Sequence, residues 1–390
     1  MINIKETFLK LTSNRTPKGL EDNVIKLIPE FNFEKDDFDN YFYIIKKSDG
    51  TFSDTMFTAH LDTVDRGPTS WDSRKWDVTE QKWIYPEKIE EEDKEKPIKH
   101  EFDGDFIKTD GKTNLGADDK AGVTIMLNLM SEKVPGLYYF FMGEESGCAG
   151  SSSLSRVFKD KVKDGKLPNV VRCIAFDRRG YDSVITEQMS TVCCSNEFAK
   201  EIASKLNEYG FWYKPDDGGV YTDSAEFVDI IPECSNISVG YFNEHSSSEK
   251  QDIEFLELLA VVLTKIDWDS LKITRDITNV TYRGKKSTYS RYGWNWNGYE
   301  GEYYGGCARG VGYYRNGWTG GIIPNNQTNS TTTSDRNIYV DEGNGKTTKI
   351  PKRVEINDEE FDKWYLEQKN KGWKVENTTD IEDIESIPRT

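Results

Sequence analysis

Apolar residues follow two different spacings as far as Trp268, and each spacing predicts one kind of element. Apolar residues three and four apart mark one face of a helix, whereas unbroken or β-branched runs of about four to eight residues mark a buried strand. Helical spacing occupies positions 6–11, 21–28, 123–130, 195–206 and 254–266. Strand-length apolar runs occupy positions 39–46, 55–59, 136–142, 170–176 and 237–241.

Predicted strands and helices alternate in this part of the chain. Such alternation is typical of an α/β layer fold, because helices cover a mostly parallel sheet on both faces. The runs at 136–142 and 170–176 are apolar at most positions, as expected of strands that are buried on both faces. We therefore predict one α/β domain over residues 1–270, with a central mixed, mostly parallel sheet flanked by helices.

Two regions depart from this pattern. Residues 66–110 combine tryptophans with a run of Glu, Asp and Lys at 87–99, which predicts a surface insertion with a solvated loop or edge hairpin. Residues 271–345 are rich in Gly, Tyr and Trp and are predicted to be a low-complexity linker, either a flexible tail or an aromatic interaction surface. Residues 346–390 are predicted to be a small acidic element with one helix at 358–373.

Composition narrows the classes of function. The 390 residues carry a formal net charge of −17, which argues against binding to nucleic acid or to an anionic membrane, because both need a basic surface. The six cysteines form no CxxC pair and are predicted to be reduced thiols. The sequence shows neither the apolar segment of a signal peptide nor a run of membrane-spanning length, so the expected location is the cytoplasm.

Acidic and imidazole side chains follow the ends of several predicted strands. In an open α/β sheet, ligands bind beyond the carboxyl ends of the strands. Two of the three histidines lie at such ends. A single histidine there would not predict a functional cluster, but two histidines together with several carboxylates do. The strand-end residues are His60, Asp62, Glu144, Glu145, Asp177 and His245.

A glycine-flanked turn at 113–122 places Asp118 and Asp119 immediately before an apolar helix. Taken alone, this pair is more typical of a helix cap, because Asp is a preferred capping residue and the helix dipole favours negative charge there. Beside the strand-end cluster, the same pair also suits a metal site. Asp118 is the favoured bridging ligand of that site, and Asp119 is its nearest competitor.

Carboxylate and imidazole ligands without a nearby cysteine suit Zn²⁺ or another first-row divalent metal. Two such ions about 3.5–4 Å apart need a bridging carboxylate, and both ions then polarise a shared water. With Asp118 as the bridge, His60 and Asp177 complete one metal site, and Glu145 and His245 complete the other. The predicted cofactors are therefore two divalent metal ions, taken as Zn²⁺.

Two acidic residues are left with other roles in this scheme. Glu144 would lie beside the shared water, where a carboxylate can act as general base. Asp62 lies two residues after His60 and can accept the N–H of the second ring nitrogen, which fixes the tautomer that binds metal.

The residues of this constellation lie within short motifs. The motifs are Thr-Pro-Lys-Gly-Leu-Glu at 16–21, Thr-Ala-His-Leu-Asp-Thr-Val at 58–64, Gly-Ala-Asp-Asp-Lys-Ala-Gly at 116–122, Gly-Glu-Glu-Ser-Gly-Cys-Ala-Gly at 143–150 and Phe-Asp at 176–177. This ordered set resembles the co-catalytic dizinc exopeptidases, the clan that holds peptidase T and the M20, M28 and M42 peptidases. The resemblance covers roughly residues 6–266. It implies the dizinc exopeptidase fold, the same roles for Asp118, Glu144 and Asp62, and a cis peptide bond between Asp118 and Asp119.

Departures from the clan refine this prediction. The interval from Asp177 to His245 is too short for the lid domain that M20 enzymes insert there, so the chain is most similar to single-domain M28 aminopeptidases. Residues 220–227 resemble a loop of those enzymes, which implies that Tyr221 contacts the substrate or the tetrahedral intermediate. The 66–110 insertion and the aromatic extension match nothing in the clan.

We therefore predict a zinc-dependent exopeptidase, an aminopeptidase on short peptides that hydrolyses the amide bond with a metal-bridging hydroxide and Glu144 as general base. The same metal site would also serve a deacylase or amidohydrolase that cleaves N-acyl amino acids. A third interpretation is a non-catalytic binding protein on a hydrolase core, with the aromatic extension as its active part. The sequence leaves the substrate specificity and the oligomeric state open.

Overall fold

The computed structural model describes residues 2–64, 75–77, 82–84, 97–279, 337–341, 347–350 and 375–378. The chain divides into two compact units, which are described separately. The larger unit comprises Met1–Tyr209 and Tyr213–Gly312, and the smaller unit comprises Gly210–Trp212 and Tyr313–Thr390.

In the larger unit, helices and strands alternate as the sequence predicts. Its described α-helices are α1 (Ile4–Leu11), α2 (Asp22–Lys26), α3 (Ala117–Ser131), α4 (Ala149–Lys163), α5 (Asn196–Asn207) and α6 (Ile253–Leu263). Its described strands are β1 (Glu34–Lys35), β2 (Tyr41–Ile45), β3 (Thr55–His60), β4 (Lys75–Asp77), β5 (Lys82–Ile84), β6 (His100–Asp103), β7 (Phe106–Thr109), β8 (Gly136–Phe141), β9 (Arg172–Arg178), β10 (Ser183–Ile185), β11 (Glu187–Gln188), β12 (Thr191–Val192), β13 (Lys214–Asp216), β14 (Glu233–Ser238), β15 (Tyr241–Phe242) and β16 (Lys250–Asp252). Short 3₁₀ turns occupy Asp223–Phe227, Trp268–Ser270 and Ile277–Asn279.

The central sheet has eight strands in the order β1-β2-β8-β3-β9-β14-β10-β13. The pairs β8–β3, β3–β9, β9–β14 and β10–β13 are parallel, and the others are antiparallel. Every residue of β3 and β8 is buried, which explains why their sequences are apolar runs without alternation. The predicted mixed, mostly parallel sheet with flanking helices is thus confirmed.

The core is rich in aromatic rings on both faces of this sheet. On one face, Phe57 of β3 packs against Tyr138 and Trp268, with ring centroids 5.1 and 5.3 Å apart. On the other face, Phe141 of β8 stacks on Phe227 at 5.9 Å, and Phe158 of α4 meets Phe227 edge-on at 5.6 Å. Because successive strand residues point to opposite faces, each central strand contributes to both layers.

The structure differs from the predicted elements at positions 237–241 and at helix α4. The single strand predicted at 237–241 is two strands, because Gly240 takes a left-handed φ of 89° and turns the chain, so that β15 pairs with β16 instead of extending β14. Helix α4 was not predicted, since its Gly- and Ser-rich first turn hides the helical spacing of the buried residues Leu154 and Phe158.

The end of the 66–110 region is built into the larger unit. Strands β6 and β7 form an antiparallel pair, and β7 also pairs with β16, giving a second sheet in the order β15-β16-β7-β6. Strands β4 and β5 form a separate antiparallel pair. The central part of the charge run, residues 87–96, lies outside the described residues.

The hydrogen bonds of the larger unit continue past the predicted boundary at residue 270. The carbonyl of Leu271 accepts from Arg172 Nε at 3.1 Å. The backbone N–H groups of Thr274 and Arg275 donate to Glu233 Oε1 at 2.8 and 2.9 Å. The residues that complete this unit therefore extend at least to Arg275.

The described part of the smaller unit is a three-stranded antiparallel sheet. Its strands are β17 (Asn337–Asp341), β18 (Thr347–Ile350) and β19 (Val375–Thr378), in the order β18-β17-β19. The helix predicted at 358–373 and the aromatic segment at 287–321 lie outside the described residues. Among the helices that are described, each is too short or too polar to cross a lipid bilayer.

Trp268 offers a direct test of whether the larger unit depends on residues that follow α6. Its side chain is 2% exposed and its Nε1–H donates to the carbonyl of Leu263 at 3.2 Å. We expect Trp268→Ala to lower the free energy of unfolding by about 3–5 kcal/mol, because it leaves a large cavity against Phe57. The control is Phe52→Ala, whose ring is 48% exposed and whose loss should cost less than about 1 kcal/mol. Urea denaturation compares the two, and equal losses would show that the unit does not depend on residues after α6.

Candidate metal centre

The carboxylate of Asp118 lies between two imidazole rings. Its Oδ1 is 3.0 Å from His60 Nε2, and its Oδ2 is 3.0 Å from His245 Nε2. One histidine ends β3 and the other lies in the loop between β15 and β16, so the sheet topology brings them together from distant parts of the chain. Asp118 therefore has the position that a bridging ligand requires, one oxygen toward each imidazole.

Each imidazole also faces a second carboxylate. Asp177 Oδ1 is 3.8 Å from His60 Nε2, and Glu145 Oε1 is 2.8 Å from His245 Nε2. These are the two pairings that the sequence predicts around Asp118. Potential ligand atoms within 4.8 Å of one another form three overlapping groups in the described residues, and these groups contain all of the predicted ligands together with Glu144 and Asp119.

The tautomer of His60 follows from its second ring nitrogen. Nδ1 lies 2.9 Å from the backbone carbonyl of Asp62, and a carbonyl oxygen only accepts hydrogen bonds, so Nδ1 carries the proton. Nε2 is then the ring nitrogen that faces Asp118, where it donates a proton to the carboxylate or, once deprotonated, can bind a cation. Asp62 contacts this ring through its backbone oxygen, while its carboxylate, the group predicted to orient the ring, is farther away, with Oδ1 at 3.5 Å from Nδ1.

These contacts fit a cation between the histidines and the carboxylates. A neutral imidazole lone pair and a carboxylate oxygen 3.0 Å apart repel each other unless a proton or a metal ion lies between them. Glu145 Oε1 is buried and has no hydrogen-bond partner of acceptable geometry within the described part of the chain, although His245 Nε2 is only 2.8 Å away. Zn²⁺ takes nitrogen and oxygen ligands at about 2.0–2.2 Å, and first-row divalent metals in general suit this donor set.

Burial and mutual repulsion perturb the ionisation of this cluster. Burial disfavours the charged form of His245, but the close carboxylates of Asp118 and Glu145 outweigh it and raise the pKa of His245 to about 11. Burial, followed by repulsion from Asp118, raises the pKa of Asp177 to about 8. Burial also raises the pKa of Glu145. Asp118 differs from these two acids: burial opposes its ionisation, but its contacts with His245 and His60 outweigh burial and lower the pKa of Asp118 below its usual range.

Two buried carboxylates hold backbone N–H groups of the site. Asp62 Oδ1 accepts from the N–H of Glu144 at 2.9 Å, and Oδ2 accepts from that of Glu145 at 3.1 Å. Asp119 Oδ2 accepts from the N–H of His60 at 3.1 Å, and Oδ1 accepts from that of Gly122 at 3.1 Å. The Asp119 carboxylate is thus engaged with backbone, which favours Asp118 as the bridge, and the predicted cis peptide between the two residues is present.

Asp177 is held by partners that could not be selected from sequence patterns. Its carboxylate accepts from Thr222 Oγ1 at 2.5 Å and from the Tyr241 hydroxyl at 3.0 Å. Asn236 accepts from the N–H of Asp177 at 2.9 Å and donates to its carbonyl at 2.7 Å. Thr222 follows Tyr221, so the predicted loop does reach the site, but the Tyr221 hydroxyl donates to Glu226 Oε1 at 2.8 Å.

Three further ionisable residues, Lys120, Glu249 and His100, are not assigned as metal ligands. Lys120 is fully buried and donates to the carbonyl of Leu61 at 2.5 Å; burial lowers its pKa to about 8, opposed by attraction to Asp62 and other acids. Glu249, also buried, accepts two backbone N–H groups of the 116–118 turn. His100, the third histidine, contacts Thr12 Oγ1 at 2.9 Å and is not among the groups of potential ligands in the described residues.

Gly122 allows a test of the packing that supports these ligands. Alanine normally stabilises a helix interior relative to glycine by about 0.5–1 kcal/mol. At Gly122, however, a Cβ would lie 2.4 Å from the Phe176 carbonyl oxygen and 2.5 Å from Asp119 Oδ1, so α3 or the Asp119 carboxylate must shift. We expect Gly122→Ala to lower the free energy of unfolding by about 1–3 kcal/mol and to weaken Zn²⁺ binding. Thermal denaturation and Zn²⁺ titration measure both effects, and a stabilised variant would show that this contact does not constrain the site.

Comparisons with known proteins find similarity in structure only. No protein-family model and no curated protein matches the sequence. Aminopeptidase PepT from Bacillus cereus is 16% identical, with 69% of this chain and 98% of that chain covered and a TM-score of 0.49. A tripeptidase from Staphylococcus aureus is 15% identical, with 67% and 96% covered and a TM-score of 0.48. The TET1 peptidase of Pyrococcus horikoshii is 16% identical, with 67% and 98% covered and a TM-score of 0.47. All three are described as peptidases, the class that the motifs resemble, and the functional proposal rests on the residues of the site itself.

Proposed function

We propose that this protein is a two-metal exopeptidase that acts as an aminopeptidase on short peptides. The observation that carries the proposal is the Asp118 carboxylate, which faces His60 with one oxygen and His245 with the other, each at 3.0 Å. A purely structural carboxylate has no need of two imidazoles in this arrangement, whereas a ligand shared by two cations does. The proposal is supported by the position of His60, Glu145 and Asp177 at or just after the carboxyl ends of β3, β8 and β9, since α/β proteins bind their ligands at such ends.

The metal ligands would be shared out around this bridge. His60 and Asp177 would serve one ion, and His245 and Glu145 would serve the other, with Asp118 common to both. When bound, two divalent ions supply Lewis acidity, which polarises a scissile carbonyl and lowers the pKa of water. Their charge also offsets the repulsion among the buried carboxylates, which is why the protein can keep so many acids in one place.

Glu144 is assigned the role of general base. Its Oε2 is 4.0 Å from His60 Nε2, farther than the oxygens assigned as ligands, and its other oxygen is 3.5 Å from Cys148 Sγ. Asp62 fixes its backbone through the bond to the Glu144 N–H. The carboxylate is thereby held next to the ligands without being required as one of them, and it can take a proton from water and pass it to the leaving amine.

The charge around the site favours an amine substrate over an N-acyl amino acid. An N-acyl amino acid brings a carboxylate next to its scissile bond that needs a cationic partner besides the metals, whereas the free amino terminus of a peptide does not. The two arginines that follow Asp177 are already engaged: Arg178 donates to the Gly218 carbonyl at 3.1 Å, and Arg179 donates to Glu244 at 2.9 Å. Tyr221, whose neighbour Thr222 bonds to Asp177, remains the proposed substrate contact.

Substitution of the two adjacent glutamates separates catalysis from metal binding. Glu144→Gln keeps the shape and polarity of the side chain but cannot accept a proton, so both metals should stay bound while kcat falls at least about 100-fold. Glu145→Gln replaces an anionic ligand by a neutral amide and should weaken one of the two metals. Metal content and kcat are measured side by side for both variants. Full activity of Glu144→Gln with both metals bound would refute its role as general base.

The choice of substrate is tested by a direct comparison. Aminoacyl amides and short peptides with a free amino terminus should be hydrolysed, whereas N-acetylated amino acids should be poor substrates. A chelator should abolish the hydrolysis, and added Zn²⁺ should restore it, because Lewis acidity contributes directly to the reaction. Preferential cleavage of the N-acetylated compounds would favour the deacylase instead. Tight binding of peptides without cleavage of either class would favour the binding protein.

A further inference from the structure

The loop that follows β15 contacts Asp118 at two points. His245 Nε2 reaches the Asp118 side chain, at 3.0 Å from Oδ2. Four residues later, Glu249 Oε1 accepts the backbone N–H of the same Asp118 at 3.0 Å, and Oε2 accepts that of Gly116 at 2.8 Å. One short loop thus contacts both the carboxylate that faces the two histidines and the peptide group that sets its direction.

This loop is itself rigidly built. Ser246 Oγ donates to the carbonyl of Asn243 at 2.7 Å, and the N–H of Ser248 donates to Ser246 Oγ at 3.2 Å. The N–H of Glu249 donates to the Ser246 carbonyl at 3.2 Å. Beyond the loop, β16 pairs with β7 and β15. Hydrogen bonds within the loop therefore support the backbone that carries His245 and Glu249.

The turn that Glu249 holds has little support of its own. Gly116 adopts a φ of 75°, and no side chain caps the start of α3 at this residue. Helix α3 contains non-helical backbone angles at Asp118 and Asp119, and one backbone hydrogen bond, from the N–H of Lys120 to the Gly116 carbonyl at 3.2 Å, spans them. Glu249, only 1% exposed, holds the N–H groups on both sides of Ala117, one with each of its oxygens.

We propose that Glu249 is a positioning residue. It sets the Asp118 carboxylate at the correct distance from both histidines and so determines how tightly the metals that Asp118 would bridge are bound. This inference rests on the proposed function, since it assigns a role within that metal centre. Glu249 touches neither substrate nor the reacting atoms in this scheme. It acts through the backbone of Asp118.

The test is Zn²⁺ binding to the full-length protein, measured by competition with a chelator of known affinity. In Glu249→Gln one oxygen is replaced by an NH₂ group, which faces a backbone N–H that it cannot bond, so one of the two hydrogen bonds is lost. Loss of such supporting partners typically costs about 10–100-fold in metal affinity. We expect a loss of that size for at least one of the two Zn²⁺ ions.

A matched control separates positioning from general stability. Glu233 is also fully buried and also accepts backbone N–H groups, from Ser195 at 2.7 Å and Thr274 at 2.8 Å. It begins β14, at the end of that strand opposite to the metal centre. Glu233→Gln should therefore lower thermal stability while leaving the affinity for both Zn²⁺ ions unchanged.

The possible results are distinct. Equal Zn²⁺ affinities in Glu249→Gln and the unsubstituted protein would overturn the inference, as would an equal loss of affinity in Glu233→Gln. If the unsubstituted protein itself binds fewer than two Zn²⁺ ions, the proposed function fails, and this inference fails with it. If Glu249→Gln does not fold, Glu249→Asp is titrated instead. Its shorter carboxylate should retain one hydrogen bond and lose about 10-fold in affinity, and an unchanged affinity would again overturn the inference.

Discussion

Buried carboxylates that accept pairs of backbone N–H groups hold this site together. Asp62 binds the turn that carries Glu144 and Glu145, Asp119 binds the end of β3, and Glu249 binds the turn that carries Asp118. Removing a carboxylate from water costs several kcal/mol, while a hydrogen bond to a charged group contributes roughly 1.5–3 kcal/mol. Each carboxylate therefore persists in the interior because both of its oxygens are used. The buried ammonium group of Lys120, which bonds to the carbonyl of Leu61, adds a compensating positive charge.

These supporting carboxylates also explain why the site residues occur in short motifs. Three of the five proposed ligands have, within four residues, a carboxylate that holds another segment of the site. The result is a connected series in which a shift of one segment would move its neighbours. The pairs of proposed ligand and supporting carboxylate are His60 with Asp62, Asp118 with Asp119, and His245 with Glu249.

Local patterns in the sequence were sufficient for much of the fold and for the proposed ligands. Strands β3, β8 and β9 could be predicted because strands buried on both faces are apolar at almost every position. Four of the five proposed ligands were candidates because they follow predicted strand ends, and Asp118 was a candidate because it precedes a helix. The positions of Glu249, Thr222 and Asn236 could not be predicted, since each acquires its role only from a partner far away in the chain. The break at Gly240 was missed for a related reason: whether an apolar run continues or turns depends on which strand is available to pair with it.

The central claim is that Asp118 bridges two metal ions, and a crystal grown with Zn²⁺ tests it most directly. An anomalous difference map at the zinc absorption edge should show two peaks about 3.5–4 Å apart, one beside His60 and the other beside His245, with one oxygen of Asp118 directed at each. A single peak, or two peaks of which only one lies against the Asp118 carboxylate, would contradict the account.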